Sequence, residues 1–241
     1  MSERPLRTTR ADRLNALAKR IGAERYLEIG VARGFTFTAV DVPYKVAVDP
    51  AFRFDTSAHA SPTTFFHQVP SDTFFSELAE RHGRFDLIYV DGLHTFEQTL
   101  RDFTASLAFA HDGTVWLIDD TVPTGRLASL ASQAKTRRYR KLLRIKDGRW
   151  MGDVFKVVFA IHDFFPQYSY ATYSGHGQTV VWRETRRPFA AKWDSFDAIG
   201  ALTYRDFVQL KDPHMAVQDE EAILQALTNA GVPDRRPDGD A

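Results

Sequence analysis

The chain has 241 residues, and its 31 Lys or Arg residues are balanced by 31 Asp or Glu residues. A neutral chain argues against nucleic acid or an anionic membrane as a partner, because both attract a basic surface. The absence of cysteine excludes disulfides, thiolate zinc sites and cysteine nucleophiles, and it fits a reducing compartment. Without a signal-peptide core or an apolar run of about 20 residues, the chain is expected to be cytoplasmic.

Strand-like and helix-like segments alternate through the first half of the chain. Helical spacing of apolar residues predicts a helix over 11–21, which Gly22 ends. Buried strands are predicted over 26–30, 45–49, 65–68, 85–90 and 114–118, with helices over 35–40, 73–81 and from Phe96 through Phe103. This alternation predicts a parallel sheet with helices on both faces.

The second half of the chain has a different pattern. After a basic stretch over 126–149, an apolar helix is predicted over 154–165, and two strands over 168–173 and 179–183 form an antiparallel pair. A last helix over 219–229 precedes a polar tail, 233–241, that is typical of disorder. We therefore divide the chain into an N-terminal helical extension (1–22), one α/β domain (23–185) and a C-terminal extension (186–241).

The ends of the first two strands predict a nucleoside site, because open parallel sheets bind ligands at the carboxyl ends of their strands. Gly30 and Gly34 follow the first strand, and glycine lets the backbone approach a ligand closely. Asp49 ends the second strand, where an acid can accept hydrogen bonds from two ribose hydroxyls. The spacing is not the dinucleotide G-x-G-x-x-G pattern. An ordinary strand-to-helix turn and an Asp-Pro turn are the structural alternatives.

The next two strands end in acids. Asp91 ends the fourth strand, with His94 three residues later, and the fifth strand ends at Asp119-Asp120. Three crowded carboxylates would raise one another's pKa values, and a divalent cation would relieve the repulsion. Oxygen ligands suit Mg²⁺ better than zinc. A turn at Asp91-Gly92 and a cap or turn at Asp119-Asp120 are the structural alternatives.

The first of these motifs resembles that of class I S-adenosylmethionine-dependent methyltransferases, an acid-x-Gly-x-Gly-x-Gly turn after the first strand. Glu28, Gly30 and Gly34 match it, with Ala32 in place of the middle glycine. The resemblance implies a Rossmann-like, seven-stranded methyltransferase fold whose mostly parallel sheet includes the C-terminal antiparallel pair. It also implies cofactor-binding roles, which fall on Glu28 and the turn for the methionine end, Asp49 for the ribose, Ser71 and Asp72 for the adenine, and Asp91.

The acids resemble the metal site of the catechol O-methyltransferase group and of macrolide-sugar O-methyltransferases such as the mycinamicin and macrocin enzymes. Asp91, Asp119 and Asp120 fall on the Mg²⁺ ligands of that group, and His94 falls where it places its general base. The resemblance covers roughly residues 20–185. It implies that a metal-bound hydroxyl of a small molecule loses its proton to His94 and attacks the methyl group of S-adenosylmethionine.

A sugar, a polyketide or a phenol would each present a suitable hydroxyl. Two other functions stay open: a metal-independent methyltransferase acting on a nitrogen or a carrier-bound acceptor, and a catalytically silent protein that binds the cofactor or a nucleotide. Pairing with a second copy of the chain also stays open.

The basic run 135–141 is interpreted as a solvated helix face, or as a surface that recognises a phosphate, a carboxylate or an acidic carrier protein. Trp150 is expected to pack, or to close over the substrate.

Overall fold

A computed structural model describes residues 9–175 and 177–232. The predicted disordered tail, 233–241, lies outside the described residues, as do residues 1–8 of the predicted N-terminal extension. His176, to which the sequence analysis gives no role, lies outside them as well.

Eight strands form one sheet, with five parallel strands followed by an antiparallel pair and a short edge strand. They are β1 (Arg25–Ile29), β2 (Tyr44–Val48), β3 (Thr64–His67), β4 (Leu87–Val90), β5 (Val115–Ile118), β6 (Tyr168–Tyr173), β7 (Thr179–Arg183) and β8 (Val217–Gln218). The order across the sheet is β3-β2-β1-β4-β5-β7-β6-β8, and β7 is antiparallel to both β5 and β6. The predicted α/β fold class, a mostly parallel sheet with an antiparallel pair, is confirmed.

The predicted strand number of seven is wrong, because β8 adds an eighth strand beside β6. Its backbone contacts include a hydrogen bond from the Ser174 N–H to the Gln218 carbonyl at 2.8 Å. A two-residue strand is too short to give a period-2 pattern, so the sequence contains no signal for it.

The predicted helices are present, with two more near the C-terminus. They are α1 (Arg10–Ile21), α2 (Phe35–Ala39), α3 (Ser71–Thr73), α4 (Phe96–Ser106), α5 (Gln133–Leu142), α6 (Phe155–Phe164), α7 (Phe196–Gly200), α8 (Tyr204–His214) and α9 (Glu220–Asn229). The helix predicted over 73–81 is a continuous run in which a π-helical turn, Phe74–Leu78, and a 3₁₀ turn, Ala79–His82, follow α3. α5 contains the basic run interpreted above as a solvated helix face, and α7 and α8 have no counterpart among the predicted helices.

Helices cover both faces of the sheet, as predicted. Successive side chains of β1 point to opposite faces: Tyr26 packs in the cluster that contains Leu14 of α1 and Ile223 of α9. Leu27 packs in the other cluster, which contains Phe155 of α6. The N-terminal helix and the last helix therefore help to build the core on one face of the sheet.

The start of α1 is fixed by a capping box, in which side chains bond to the free N–H groups of the first turn. The Asp12 N–H donates to Thr9 Oγ1 at 3.2 Å, and the Thr9 N–H donates to Asp12 Oδ2 at 2.8 Å. This cap fixes the position of Arg10, the first residue of the helix.

Within the described parts of the chain, none of the helices has both the length and the apolar character that crossing a membrane requires.

Candidate active site

A cavity of about 1020 Å³ opens at the carboxyl edge of the sheet. It lies where the chain order reverses, with β1 between β2 and β4. Such a crevice is the usual ligand site of open α/β sheets. Its wall includes Gly30 after β1, Asp49 after β2, Asp91 after β4 and Asp120 after β5. Four of the residues predicted to meet at this edge of the sheet therefore line a single cavity.

The turn after β1 requires glycine at its first position. Gly30 has a φ of +89°, and a Cβ atom there would lie 2.1 Å from the carbonyl oxygen of Asp91. A side chain would push the end of β1 away from the end of β4. Gly34, with a φ of +76°, approaches the ring of Phe54 and precedes α2; it lies outside the cavity wall.

Asp49 lines the cavity and also braces the glycine turn. Its Oδ2 accepts hydrogen bonds from the N–H groups of Val31 and Ala32 at 2.9 and 2.8 Å, and its Oδ1 accepts one from Ala51 at 2.7 Å. A carboxylate oxygen has two lone pairs, so the side chain retains some capacity to accept hydrogen bonds from ribose hydroxyls.

Glu28, predicted to bind the cofactor, does not contribute to the cavity wall. It is 2% exposed and accepts a hydrogen bond from the Tyr26 hydroxyl at 2.6 Å. Burial raises the pKa of Glu28 to about 8, although the Tyr26 hydroxyl and Lys45 oppose the shift. The structure therefore does not bring Glu28 together with the other predicted site residues.

The two residues predicted near the adenine have different environments. Ser71 lines the cavity, whereas Asp72 lies outside its wall and forms an exposed ion pair with Arg101 at 2.9 Å. Gln98 joins the two, since its Nε2 lies 3.2 Å from Ser71 Oγ and 3.0 Å from Asp72 Oδ1.

Asp102 is a cavity-lining acid that the sequence analysis misses. It is 1% exposed; its Oδ1 accepts a hydrogen bond from Gln98 at 3.0 Å, and its Oδ2 has no hydrogen-bond partner among the described residues. Burial raises the pKa of Asp102 to about 6. The signal in the sequence was the spacing of Gln98 and Asp102, which puts both side chains on one face of the same helix.

The three aspartates predicted to share a metal ion do not all meet. Asp119 is buried outside the cavity wall, where Arg10 Nε lies 2.5 Å from its Oδ2 and the Tyr89 hydroxyl donates to the same atom at 2.8 Å. Burial and the charge of Asp120 raise the pKa of Asp119. The structure thus pairs this predicted metal ligand with an arginine.

Asp91 and Asp120 reach the cavity together with His94. The His94 Nδ1 atom lies 2.8 Å from Asp120 Oδ2 and 3.8 Å from Asp91 Oδ1. Asp91 Oδ1 is buried without a hydrogen-bond partner among the described residues, and burial and Asp119 raise the pKa of Asp91 well above its usual range. One donor atom from each of Asp91, His94 and Asp120 lies within 4.8 Å of the others, which is close enough to bind one metal ion.

Arg10 is the cation of this cluster, and the sequence analysis misses it. Its guanidinium lines the cavity and lies 3.9 Å from Asp120 as well as against Asp119. Burial disfavours the charged guanidinium, but the carboxylates of Asp119, Asp91 and Asp120 outweigh that effect and raise the pKa of Arg10. Its local sequence carries no signal for this role, because its partners lie far along the chain.

The position of His94 depends on the segment before α6. His94 has a φ of +57°, and a Cβ atom on Gly152 would lie 1.6 Å from the His94 carbonyl oxygen. The ring of Trp150 packs edge-on against the imidazole, with 5.4 Å between ring centres. Trp150 therefore packs, as expected, and it also lines the cavity.

The sequence and the fold were compared with those of known proteins. Residues 27–121 match the family model described as a methyltransferase domain. A search of curated proteins gave no match. Among solved structures, the SAH-bound methyltransferase PaMTH1 of Podospora anserina has 14% identity and a TM-score of 0.53, with 76% of this chain and 80% of that chain covered. Cofactor-bound Rv0187 from MTB has 16% identity and a TM-score of 0.51, with coverage of 77% and 84%.

The matched segment runs from β1 through the end of β5 and contains every strand end that contributes an acid to the cavity. The two solved structures agree with the α/β architecture. Residues 27–121 are therefore similar to a methyltransferase domain, and the protein is an enzyme.

Proposed function

We propose that this enzyme transfers a methyl group from S-adenosylmethionine to a hydroxyl oxygen of a small molecule. The observation that carries the proposal is the His94–Asp120 pair, 2.8 Å apart in a cavity that also contains the Gly30 turn and Asp49. Methyl transfer to a hydroxyl needs a nucleoside subsite and a proton acceptor side by side. PaMTH1 bound to SAH and the cofactor-bound Rv0187 support the choice of cofactor.

The cofactor would lie over the turns that follow β1 and β2. S-Adenosylmethionine supplies a methyl group on a positively charged sulfur. Gly30 leaves room for the ligand beside the backbone, and Asp49 accepts hydrogen bonds from ribose hydroxyls. Asp102 Oδ2, a buried acceptor without a partner among the described residues, suits the exocyclic amino group of adenine, with Ser71 nearby.

His94 would take the proton of the acceptor hydroxyl. Its Nδ1–H donates to Asp120, which fixes the tautomer and leaves Nε2 as the nitrogen that accepts a proton. Asp120 then stabilises the imidazolium, as the acid does in other His–Asp pairs. The contact with Gly152 holds the backbone of His94 in place while the proton moves.

A divalent cation fits the same cluster. Asp91 Oδ1 is a buried acceptor without a partner among the described residues, and Asp91 and Asp120 would hold the ion, with His94 beside them as the base. Bound there, the ion would supply Lewis-acid activation of a hydroxyl. These two carboxylates are fewer than the three aspartates expected from the sequence, because Asp119 is paired with Arg10.

Metal-independent transfer is the second candidate function, and the position of Arg10 favours it. The guanidinium already supplies a positive charge to Asp119 and Asp120, which a metal ion would otherwise do. A hydroxyl, a nitrogen or a carrier-bound acceptor could then react without a metal ion, with His94 as the base.

Two measurements test these proposals. Calorimetric titration with S-adenosylhomocysteine and with NAD should show binding of S-adenosylhomocysteine only. No binding of S-adenosylhomocysteine would refute the cofactor assignment.

Methyl transfer to a panel of catechols, sugars and amines, measured with and without EDTA, should occur on oxygen and should become slower when EDTA is added. Full activity in EDTA selects the Arg10 alternative, and cofactor binding without transfer to any acceptor favours a catalytically silent protein.

A further inference from the structure

Positive charge is concentrated in the segment 133–149, here called the basic segment, although the whole chain is neutral. It contains eight Lys or Arg residues and one acid, Asp147, which pairs with Arg149 at 3.0 Å. Because the whole chain is neutral, the remainder has an excess of negative charge. The expectation of no membrane partner depends on the net charge of the whole chain. That net charge of zero does not reveal that positive charge is concentrated in one segment.

Helix α5, in the basic segment, has an apolar stripe that faces solvent. Tyr139, Leu142 and Leu143 have the spacing i, i+3, i+4, which places them on one side of a helix. They are 46%, 74% and 59% exposed, and Thr136 is the one buried residue among the ten of α5. Ile145, just beyond the helix, is 43% exposed. Four large apolar side chains therefore lie in solvent within one short stretch.

Exposed cations lie beside and opposite this stripe. Successive residues of a helix are about 100° apart, so Arg138 lies on one flank of Tyr139 while Arg137 and Lys141 lie on the opposite face, and all three are exposed. An apolar stripe opposite a cationic face is the pattern of helices that lie in the interface of an anionic bilayer. A nucleic acid offers phosphates but no apolar layer, and a second copy of the chain would bring two basic surfaces together.

The basic segment also borders the cavity. Gln133 at its start and Arg149 at its end are exposed residues that line the cavity wall. Trp150, the next residue, packs against His94. A surface that covered α5 would therefore lie beside the opening through which an acceptor reaches His94.

We propose that the basic segment docks the enzyme on an anionic lipid bilayer, with the cavity rim at the membrane surface. The apolar stripe of α5 inserts at the level of the headgroups, and the exposed arginines and lysines of the basic segment bind lipid phosphates. The inference goes beyond the proposed function, because docking needs neither cofactor nor acceptor.

Co-sedimentation of the full chain with lipid vesicles tests the proposal. We expect binding to vesicles in which phosphatidylglycerol replaces about a third of the phosphatidylcholine, little binding to phosphatidylcholine alone, and weaker binding as salt is added. The double variant Leu142→Asp, Leu143→Asp and the double variant Arg137→Glu, Arg138→Glu should each lower the ratio of bound to free protein by about tenfold or more.

Two control variants on α8 match these changes in chemistry. Val208→Asp replaces a 56% exposed apolar side chain, and Arg205→Glu reverses an exposed charge; both should bind vesicles as the unchanged protein does. Circular dichroism and S-adenosylhomocysteine titration check that each variant is folded. Equal binding of the unchanged protein to both kinds of vesicle, binding to neither, or normal binding by the Leu142→Asp, Leu143→Asp variant would overturn the proposal.

Discussion

At the scale of the residue, two buried acids make stability depend on pH. Burial raises the pKa of Asp102 to about 6 and that of Glu28 to about 8. The folded state therefore holds each proton more tightly than the unfolded state does. The resulting stabilisation is complete below the unfolded pKa values near 4, and it is lost as the pH rises through the folded values. We expect the free energy of unfolding to fall between about pH 4 and pH 8.

Replacing these acids with their neutral amides should remove this loss of stability at high pH. Asp102→Asn and Glu28→Gln should each raise the free energy of unfolding at pH 8 by about 1–4 kcal/mol, with a much smaller gain at pH 4. Urea unfolding at the two pH values measures the change. The variants should differ in S-adenosylhomocysteine affinity, which weakens for Asp102→Asn and not for Glu28→Gln, because Asp102 lines the cavity and Glu28 does not. Weaker cofactor binding by Glu28→Gln would restore the role that the sequence resemblance gives it.

The proposed base is tested by its removal. His94→Ala should lower kcat by about 10²–10⁴-fold, the usual contribution of a general base, while S-adenosylhomocysteine affinity stays within about twofold. The control is His59→Ala, an exposed histidine outside the cavity wall. If kcat is unchanged in His94→Ala, His94 has no part in proton transfer.

At the scale of the element, the junction before α6 positions the loop after β4. Gly152→Ala would place a Cβ atom 1.6 Å from the His94 carbonyl oxygen at a positive φ, so the two segments must separate. We expect a loss of about 2–4 kcal/mol in stability and a lower kcat. Gly125→Ala is the matched control, since its Cβ atom meets nothing within 4 Å. Thermal unfolding and kcat should be affected by the first change alone; equal effects would contradict the positioning role.

The elements that the sequence predicted well are the continuously buried strands and the amphipathic helix α1. The five parallel strands and the antiparallel pair have all or most of their residues buried or partly buried, and α1 ends at Gly22 with a φ of +57°. α7, α8 and β8 gave weaker signals, since α7 has five residues, α8 has one fully buried residue and β8 has two residues in all. Short or mostly exposed elements depend on tertiary packing, which local pattern does not encode.

At the scale of the whole molecule, cofactor binding should stabilise the fold, because the cavity wall is built from turns that follow four different strands. A ligand at 100 times its Kd adds about 2.7 kcal/mol to the free energy of unfolding, and for a chain of this size that corresponds to a Tm increase of about 5–10 °C. S-Adenosylhomocysteine should give this shift in a thermal unfolding scan, and NAD at the same concentration should not. A shift with NAD alone would contradict the methyltransferase cofactor site.

The sequence by itself determined the class of fold and the edge of the sheet where the chemistry lies. Alternating buried segments dictate a parallel sheet, and acids that directly follow its strands must emerge at one edge. Which of those acids share a cavity was decided by tertiary structure. Asp119 and Asp120 are neighbours in sequence, but successive side chains after a strand diverge, so one pairs with Arg10 of α1 and the other with His94. Arg10 enters the site only through packing of a distant helix, a long-range effect that no local pattern records, whereas the spacing of Gln98 and Asp102 within α4 was a local signal.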